Sequence, residues 1–151
     1  MAEKERKKSR QIDRRMVVEF CQIHFPGARW FFNVRLGPLP AEIQKRYPGM
    51  DLDRLARVWK KTCDAVVITA EALTLIEGEV IRPIEALGEL LVYRDLIAQT
   101  PELAAYRNLP VKMLLVTPQK DPTIEPTIAD HGIEVIFYRP QWVERYLKEV
   151  M

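Results

Sequence analysis

The segment that decides the fold is residues 62–94, TCDAVVITAEALTLIEGEVIRPIEALGELLVYR. It contains two short apolar runs bounded by polar residues, 65–68 and 72–76, and this pattern is typical of adjacent strands in a hairpin. Asp64 precedes the first run, and Glu77 and Glu79 follow the second. We therefore expect these three carboxylates at one end of a sheet, where their oxygens would suit Mg²⁺ or Mn²⁺.

The segments on either side alternate between helix and strand patterns. Apolar residues recur at helical spacing in four further segments, namely 11–25, 84–99, 141–150 and a short stretch within 118–131. Strand-like composition marks residues 29–36, 111–117 and 133–138. Strands separated by helices favour parallel pairing, whereas the central hairpin is antiparallel. The sequence thus predicts an α/β fold, with a mixed central sheet and helices on both faces.

The chain length and composition narrow the classes of protein. A chain of 151 residues suggests one domain. The sequence contains no run of about 18 apolar residues, so we expect no membrane span. The charged N-terminus lacks the apolar region of a secretory signal. Cys21 and Cys63 lie in apolar contexts, which favours free buried thiols and a reducing, cytoplasmic location. The sequence also lacks a glycine-rich phosphate loop, a nucleophile elbow and a complete zinc pattern.

Charge is distributed unevenly along the chain. Residues 1–61 contain 15 Lys and Arg and 7 Asp and Glu, which gives a charge of +8. Residues 62–151 contain 8 Lys and Arg and 14 Asp and Glu, which gives −6, and the two values add to the net charge of +2. Residues 1–10 are polar and mostly basic, so we expect a flexible arm ahead of a single domain at 11–151. A basic half beside an acidic half suits a protein that holds a polyanion against carboxylates, although ordinary surface charge gives the same totals.

The densest basic and aromatic region is residues 41–61. Tyr47 and Trp59 lie among basic side chains there, which are Lys45, Arg46, Arg54, Arg57, Lys60 and Lys61. Such a mixture is typical of surfaces that contact phosphates and stack on bases, although basic surface helices are also common without such a role.

The element order α-β-β-β-α-β, with an acid opening the second strand and an acidic motif closing the third, resembles the PD-(D/E)XK nuclease superfamily. The fold of that family is often called restriction-endonuclease-like, and the resemblance covers residues 11–138. Asp64 falls on the aspartate of the first motif, although Cys63 stands where the family has proline. Glu77 falls on the acid of the second motif, and Glu79 stands where the family has its catalytic lysine.

Two helices carry further parts of this resemblance. Glu89 and Tyr93 have the spacing of the Q-x-x-x-Y motif of the RecB-like branch, with glutamate in place of glutamine. Glu19 matches the acid found in the first helix of many members. In the family, the lysine is thought to orient or activate the attacking water and to stabilise developing negative charge. Glu79 carries the opposite charge, so it would be an extra ligand or would silence the site.

The resemblance implies a metal-dependent nuclease that hydrolyses phosphodiester bonds in DNA. The implied catalytic residues are Asp64, Glu77 and Glu79, and the implied ligands of Mg²⁺ or Mn²⁺ are Asp64, Glu77 and Glu19. Residues expected to contact the substrate are Lys60, Lys61, Arg82, Glu89 and Tyr93. The alternative is a catalytically inactive nuclease-fold protein that binds nucleic acid or serves in an assembly, for example of a phage or a defence system. A homo-oligomer would be compatible with either function.

Overall fold

The computed structural model describes residues 2–151, which fold around one five-stranded sheet with the spatial order β1-β2-β3-β4-β5. The strands are β1 Arg29–Leu36, β2 Lys61–Ile68, β3 Leu73–Gly78, β4 Val111–Thr117 and β5 Ile133–Phe137. The helices are α1 Glu3–His24, α2 Ala41–Arg46, α3 Leu52–Trp59, α4 Glu85–Leu96, α5 Glu125–Asp130 and α6 Gln141–Val150. Two short 3-10 helices, Ile97–Gln99 and Pro101–Tyr106, connect α4 to β4.

The sheet is mixed, as the sequence predicts. The hairpin of β2 and β3 is antiparallel, and β3–β4 and β4–β5 are parallel pairs connected through helices. The expectation of parallel pairing was wrong for β1 and β2, which pair antiparallel although α2 and α3 lie between them in sequence. Parallel pairing is expected when the connecting helix packs across a face of the sheet. The two short helices here do not form such a layer, because each buries only one side chain, Ile43 in α2 and Leu55 in α3.

Helices pack on both faces of the sheet and form two separate apolar cores. One core lies between the sheet and α1 with α6, and includes Met16, Phe20 and Val143. The other lies between the sheet and α4, α5 and the 3-10 helices, and includes Leu90 and Ile128. The central strands are buried on both faces because each faces a helical layer on either side. The site described below lies at the end of these strands, between α1 and α4.

The first helix is longer than the sequence pattern indicates. It begins at Glu3 and not at Gln11, so the stretch expected to be an arm is largely the first two turns of α1. The sequence contains no Pro or Gly before Pro26, and Lys7 pairs with Glu3 one turn earlier at 3.4 Å. Glu, Lys and Arg are good helix formers, so these turns can form even though most of their side chains are exposed.

The strand β2 changes its alternation of faces at Asp64. Cys63 and Val66 pack in the same core although they are three residues apart, and residues at that spacing in a regular strand face opposite sides. Across the ladder from Asp64, Asn33 adopts a left-handed backbone with φ of 53°. Asparagine tolerates this conformation better than most residues do. The distortion lies beside the point where β2 leaves β3, since their last paired residues are Ala65 and Ile76.

The structure bears on two expectations drawn from composition. Cys21 and Cys63 are both buried and free, which confirms the expectation of thiols over a disulfide. Across residues 2–151, every helix is either too short or too polar to cross a lipid bilayer.

Gly78, at the end of β3, lies directly against α1. A Cβ atom at Gly78 would be 2.6 Å from Val17 Cγ2 and 2.9 Å from the backbone oxygen of Asp13, whereas a Cβ at Gly88 would meet nothing within 4 Å. We expect Gly78→Ala to lower the free energy of unfolding by about 1–3 kcal/mol, because it overpacks this contact. We expect Gly88→Ala, inside α4, to raise that free energy by up to about 1 kcal/mol through helix propensity. Urea denaturation followed by circular dichroism measures both, and equal effects would contradict the described packing.

Candidate metal and nuclease site

A cavity of about 440 Å³ opens at the end of the sheet where β2 and β3 separate. Strands β2 and β3 form its floor, α1 and α4 its walls, and the segment after β3 its rim. Six carboxylates line it, and they are Asp13, Asp64, Glu77, Glu79, Glu85 and Glu89. The cavity is therefore the place where the acids predicted from the sequence meet.

Asp64 and Glu77 are fixed by hydrogen bonds that they exchange across the two strands. The backbone N–H of Asp64 donates to Glu77 Oε1 at 2.8 Å, and the backbone N–H of Gly78 donates to Asp64 Oδ2 at 2.9 Å. These side chains replace the ladder bonds lost beyond Ala65 and Ile76. Because each carboxylate keeps one oxygen in these bonds, its other oxygen is held in a defined direction. Glu77 is buried, at only 3% exposed, and Asp64 is partly buried.

Glu79 and Glu89 complete the acidic cluster. One carboxylate oxygen each of Glu77, Glu79 and Glu89 lies within 4.8 Å of the others. Glu77 is on the face of β3 that points toward α4, and Glu79, the first residue after β3, lies two residues further on and so continues on that side. Glu79 stays aligned because its backbone N–H donates to the Val116 carbonyl of β4 at 3.0 Å.

Glu89 is positioned by Tyr93, one turn later in α4. The hydroxyl of Tyr93 lies 3.0 Å from Glu89 Oε2 and 3.0 Å from the Thr62 carbonyl of β2. Tyr93 is itself only 3% exposed, so its ring is part of the core and its hydroxyl ties α4 to β2 beside the cluster. The structure thus shows Tyr93 holding Glu89 in place, and the prediction that Tyr93 contacts the substrate stays a prediction.

Asp13 of α1 is a site acid that sequence reasoning missed. Its side chain is 8% exposed, and its Oδ1 accepts a hydrogen bond from the Val80 N–H at 2.9 Å. The carbonyl of Val80 in turn accepts from Gln119 Nε2 at 2.7 Å. These bonds fix the segment that follows Glu79, and with it the rim of the cavity.

Burial and mutual repulsion favour the protonated forms of these acids. Burial raises the pKa of Glu79 to about 9 and that of Asp13 to about 7, and the neighbouring carboxylates add to both shifts. Burial also raises the pKa of Glu77 well above its usual range, and Asp64 and Glu89 raise it further. For Asp64, burial raises the pKa, while the Gly78 N–H and then Arg14 act in the opposite direction. A cation bound in the cluster would relieve this repulsion.

Three arginines line the same cavity. Arg6 and Arg10 come from α1, at helical spacing from Ser9 and Asp13, and Arg82 comes from the segment before α4. Arg82 pairs with Glu85 at 3.5 Å, and both side chains are half exposed or more, so this pair contributes little to stability. The arginines place positive charge at the mouth of an acidic cavity, as a phosphate ligand would need.

A second cavity of about 520 Å³ adjoins the first and shares Arg10 and Glu89 with it. It is lined on its other sides by α3, the start of β2 and α4, and it contains the predicted substrate residues Lys60, Lys61 and Tyr93. The sequence-predicted residues therefore fall into two neighbouring groups. Asp64, Glu77, Glu79 and Arg82 lie in the first, and Glu89 belongs to both.

Glu19 is the one predicted ligand that the structure does not bring to the cluster. Its Oε1 accepts a hydrogen bond from the Tyr138 hydroxyl at 2.5 Å, and its Oε2 accepts one from Trp142 Nε1 at 2.9 Å. Those partners lie after β5 and in α6, and Glu19 does not line the acidic cavity within residues 2–151. The expected ligand role of Glu19 is therefore wrong, and Asp13 is the acid that α1 contributes.

A helical projection could have distinguished these two acids. Asp13 and Glu19 are six residues apart and so differ by about 240° around α1 at 3.6 residues per turn. Arg6, Arg10 and Asp13 fall on one stripe of α1 at spacings of four and three residues. Sequence reasoning missed this stripe because it treated residues 1–10 as an arm outside the helix.

No protein-family model matches the chain, and a search of curated proteins finds no similar sequence. The site is therefore interpreted from its own geometry and from the resemblance described above.

The raised pKa values make stability depend on pH. Between about pH 4.5 and 9, folded Glu79 retains a proton that the unfolded chain has released, so raising the pH through this window favours unfolding. In EDTA we expect the melting temperature to fall between pH 5 and 9 by at least about 2–4 °C, the shift that about 1 kcal/mol causes in a chain of this size. Mn²⁺ should raise it more at pH 8 than at pH 5, because protons then compete less for the carboxylates.

Differential scanning fluorimetry across this pH range measures the effect. Glu79→Gln should flatten the dependence, whereas Glu134→Gln, which changes an exposed carboxylate on β5, should leave it unaltered. A melting temperature that rises with pH in EDTA would contradict the assigned direction of the shifts.

The bond between Tyr93 and Glu89 gives a second prediction. Tyr93→Phe should weaken Mn²⁺ binding about tenfold, because groups that orient a metal ligand typically affect affinity by 10–100-fold. Tyr106→Phe is the matched control, because this variant also removes a hydroxyl group that takes part in a hydrogen bond. In the unchanged protein, Arg29 Nη1 donates to the Tyr106 hydroxyl at 2.6 Å. Isothermal titration calorimetry below the melting temperature of both variants measures the affinities. Equal affinities for the two variants would remove the positioning role of Tyr93.

Proposed function

We propose that this protein is a metal-dependent nuclease that hydrolyses phosphodiester bonds in DNA. The observation that carries the proposal is the meeting of Asp64, Glu77, Glu79 and Glu89 in one cavity where β2 and β3 separate. The antiparallel β1-β2-β3 arrangement, the helix after β3 and the parallel β4 also support a restriction-endonuclease-like core. The shared acid positions and the shared element order are independent features, so together they are stronger support than either alone.

The residues of the cluster fit a divalent cation. Mg²⁺ binds oxygens at about 2.0–2.1 Å, so two of its ligands lie at most about 4.2 Å apart. The oxygens of Glu77, Glu79 and Glu89 are within 4.8 Å, and a closure of less than about 1 Å would bring them into that range. Asp64 and Glu77 would be the better fixed ligands because backbone N–H groups already hold one oxygen of each. A bound cation would polarise the phosphodiester and make water a better nucleophile.

The side chains of the cavity divide the remaining work. Arg10 and Arg6 at the mouth would hold the phosphate whose bond is broken, since guanidinium groups match phosphate oxygens. Glu79 would take the proton from the attacking water at its carboxylate, the step for which the family is thought to use lysine. Burial raises the pKa of Glu79 to about 9, so without a cation Glu79 is protonated at neutral pH, and it could accept this proton only once a nearby cation has favoured its ionised form. Tyr93 would keep Glu89 turned toward the cluster.

A second candidate function is supported by Glu79 itself. A carboxylate in place of the lysine removes a positive charge that would stabilise the transition state. The protein would then bind a cation and nucleic acid without cutting, and serve as an interaction or assembly component. The basic residues near the acidic cavity fit both functions, so the distinction depends on catalysis.

The direct test is cleavage of plasmid, linear duplex and single-stranded DNA with Mg²⁺ or Mn²⁺. We expect cleavage with metal and none in EDTA. Asp64→Asn should reduce the rate at least 100-fold, because the amide is a poor metal ligand although it can still accept the Gly78 hydrogen bond. Asp130→Asn is the matched control, because Asp130 is an exposed aspartate at the end of α5. This variant should cleave DNA at the rate of the unchanged protein. Metal binding without cleavage of any of these substrates would favour the second function.

Glu79 can be tested separately from the metal ligands. If Glu79 accepts the proton, Glu79→Gln should lower the rate about 100-fold, within the range of general-base contributions, and shift the pH profile of the rate. Glu79→Lys would restore the residue type of the family. A higher rate for Glu79→Lys than for the unchanged protein would identify Glu79 as a silencing residue and contradict its proposed role as proton acceptor.

A further inference from the structure

The second cavity is a concentration of positive charge beside the acidic site. Five basic side chains line it, and they are Arg10, Arg14, Arg57, Lys60 and Lys61. Within the part of the chain that the structure describes, none of the five takes part in a salt bridge, and Glu89 is the only acid in the lining. Like charges brought together in a concave surface repel one another and attract an anion.

Arg14 gives a separate indication of a missing partner. Its Nε–H is buried and has no hydrogen-bond partner among residues 2–151. Buried polar groups are paired in most proteins, and an unpaired one calls for an explanation such as an unseen ligand. An anionic oxygen in this cavity would supply a partner for the guanidinium group of Arg14.

The rest of the lining suits a nucleotide better than a small inorganic anion. Val58 and Val92 line the cavity and are 69% and 45% exposed, so they offer apolar surface next to the cations. Trp59 is 37% exposed and its ring lies beside that of Tyr47, with centroids 6.3 Å apart; the two rings do not line the cavity, but Trp59 lies between the lining residues Val58 and Lys60 in sequence. Basic grooves with exposed aromatic rings are typical of surfaces that bind single strands.

The size of the cavity distinguishes single-stranded from double-stranded ligands. At about 520 Å³ it is comparable to small-molecule sites of about 300–1,000 Å³, which take one or two nucleotides. A duplex keeps its bases stacked and paired inside, so it could present only its phosphate backbone to the mouth of this cavity. The cavity joins the acidic one through Arg10 and Glu89, so a strand seated here leads directly to the carboxylates.

We infer that the second cavity binds the phosphates of a single nucleic-acid strand and leads that strand into the acidic cavity, so that the preferred substrate is single-stranded or has an unpaired end. This inference rests on the proposed function, because it assigns a substrate class to the same site. It adds a binding subsite formed by α1, α3, β2 and α4, with Arg57 and Lys61 at its exposed edge.

The test is binding of a fluorescein-labelled single-stranded DNA oligonucleotide, and of the same sequence as a blunt duplex, by the full chain in EDTA. Fluorescence anisotropy should show tighter binding of the single strand. The double variant Arg57→Ala/Lys61→Ala should weaken that binding at least tenfold. It should also reduce the slope of log K against log salt by about 1.4, since each lost phosphate contact on a single strand contributes about 0.7. Both side chains are exposed, so the variant should fold normally.

The matched control is Arg107→Ala/Arg145→Ala, which removes two exposed positive charges outside both cavities. It should bind the single strand within about twofold of the unchanged protein. Equal loss in the two double variants, tighter binding of the duplex, or no binding of either DNA would overturn the inference. Because EDTA prevents metal-dependent cleavage, the subsite can be confirmed even if hydrolysis is absent, and hydrolysis can be found even if the subsite fails.

Discussion

The hydrogen bonds exchanged by Asp64 and Glu77 are the constraint on which the candidate site depends. They hold the ends of β2 and β3 where the regular ladder stops, and they place one buried and one partly buried carboxylate in the gap. Burying such groups is unfavourable unless they are bonded and neutralised, and the raised pKa values of Glu77 and Glu79 reflect that cost. The hydrogen bonds of the sheet do not fully compensate these acids, and this imbalance is the basis of the proposal that the cavity binds a cation.

Most of the fold could be predicted from the sequence because it depends on local apolar patterns. The hairpin of β2 and β3, the parallel strands β4 and β5, and the helices on both faces follow from such runs. The pairing of β1 with β2 could not be predicted in the same way, because it depends on where α2 and α3 lie and not on their helical character. The reversal of faces at Asp64 was also hidden, since only the φ of Asn33 and the packing of Cys63 reveal it.

The site was predictable where its residues belong to the central strands. Asp64, Glu77 and Glu79 were expected together because β2 and β3 are adjacent in sequence. The register of this hairpin then fixes how far apart the carboxylates lie. The contribution of α1 was not predictable with the same reasoning. Whether Asp13 or Glu19 faces the site depends on the rotation of α1 about its axis. The stripe of Arg6, Arg10 and Asp13 that indicates this rotation extends into residues 1–10, which were expected to lie outside the helix.

The length of α1 has a practical consequence for anyone who trims this protein. A basic, polar N-terminal stretch is commonly deleted to obtain a better-behaved sample, and residues 1–10 would be removed on that ground. Here such a deletion would remove Arg6 and Arg10, two of the three guanidinium groups at the acidic cavity, together with Ser9. The shortened chain would retain the residues of both apolar cores, yet it would lack much of the positive charge beside its carboxylates. An inactive trimmed protein would then say little about the full-length one.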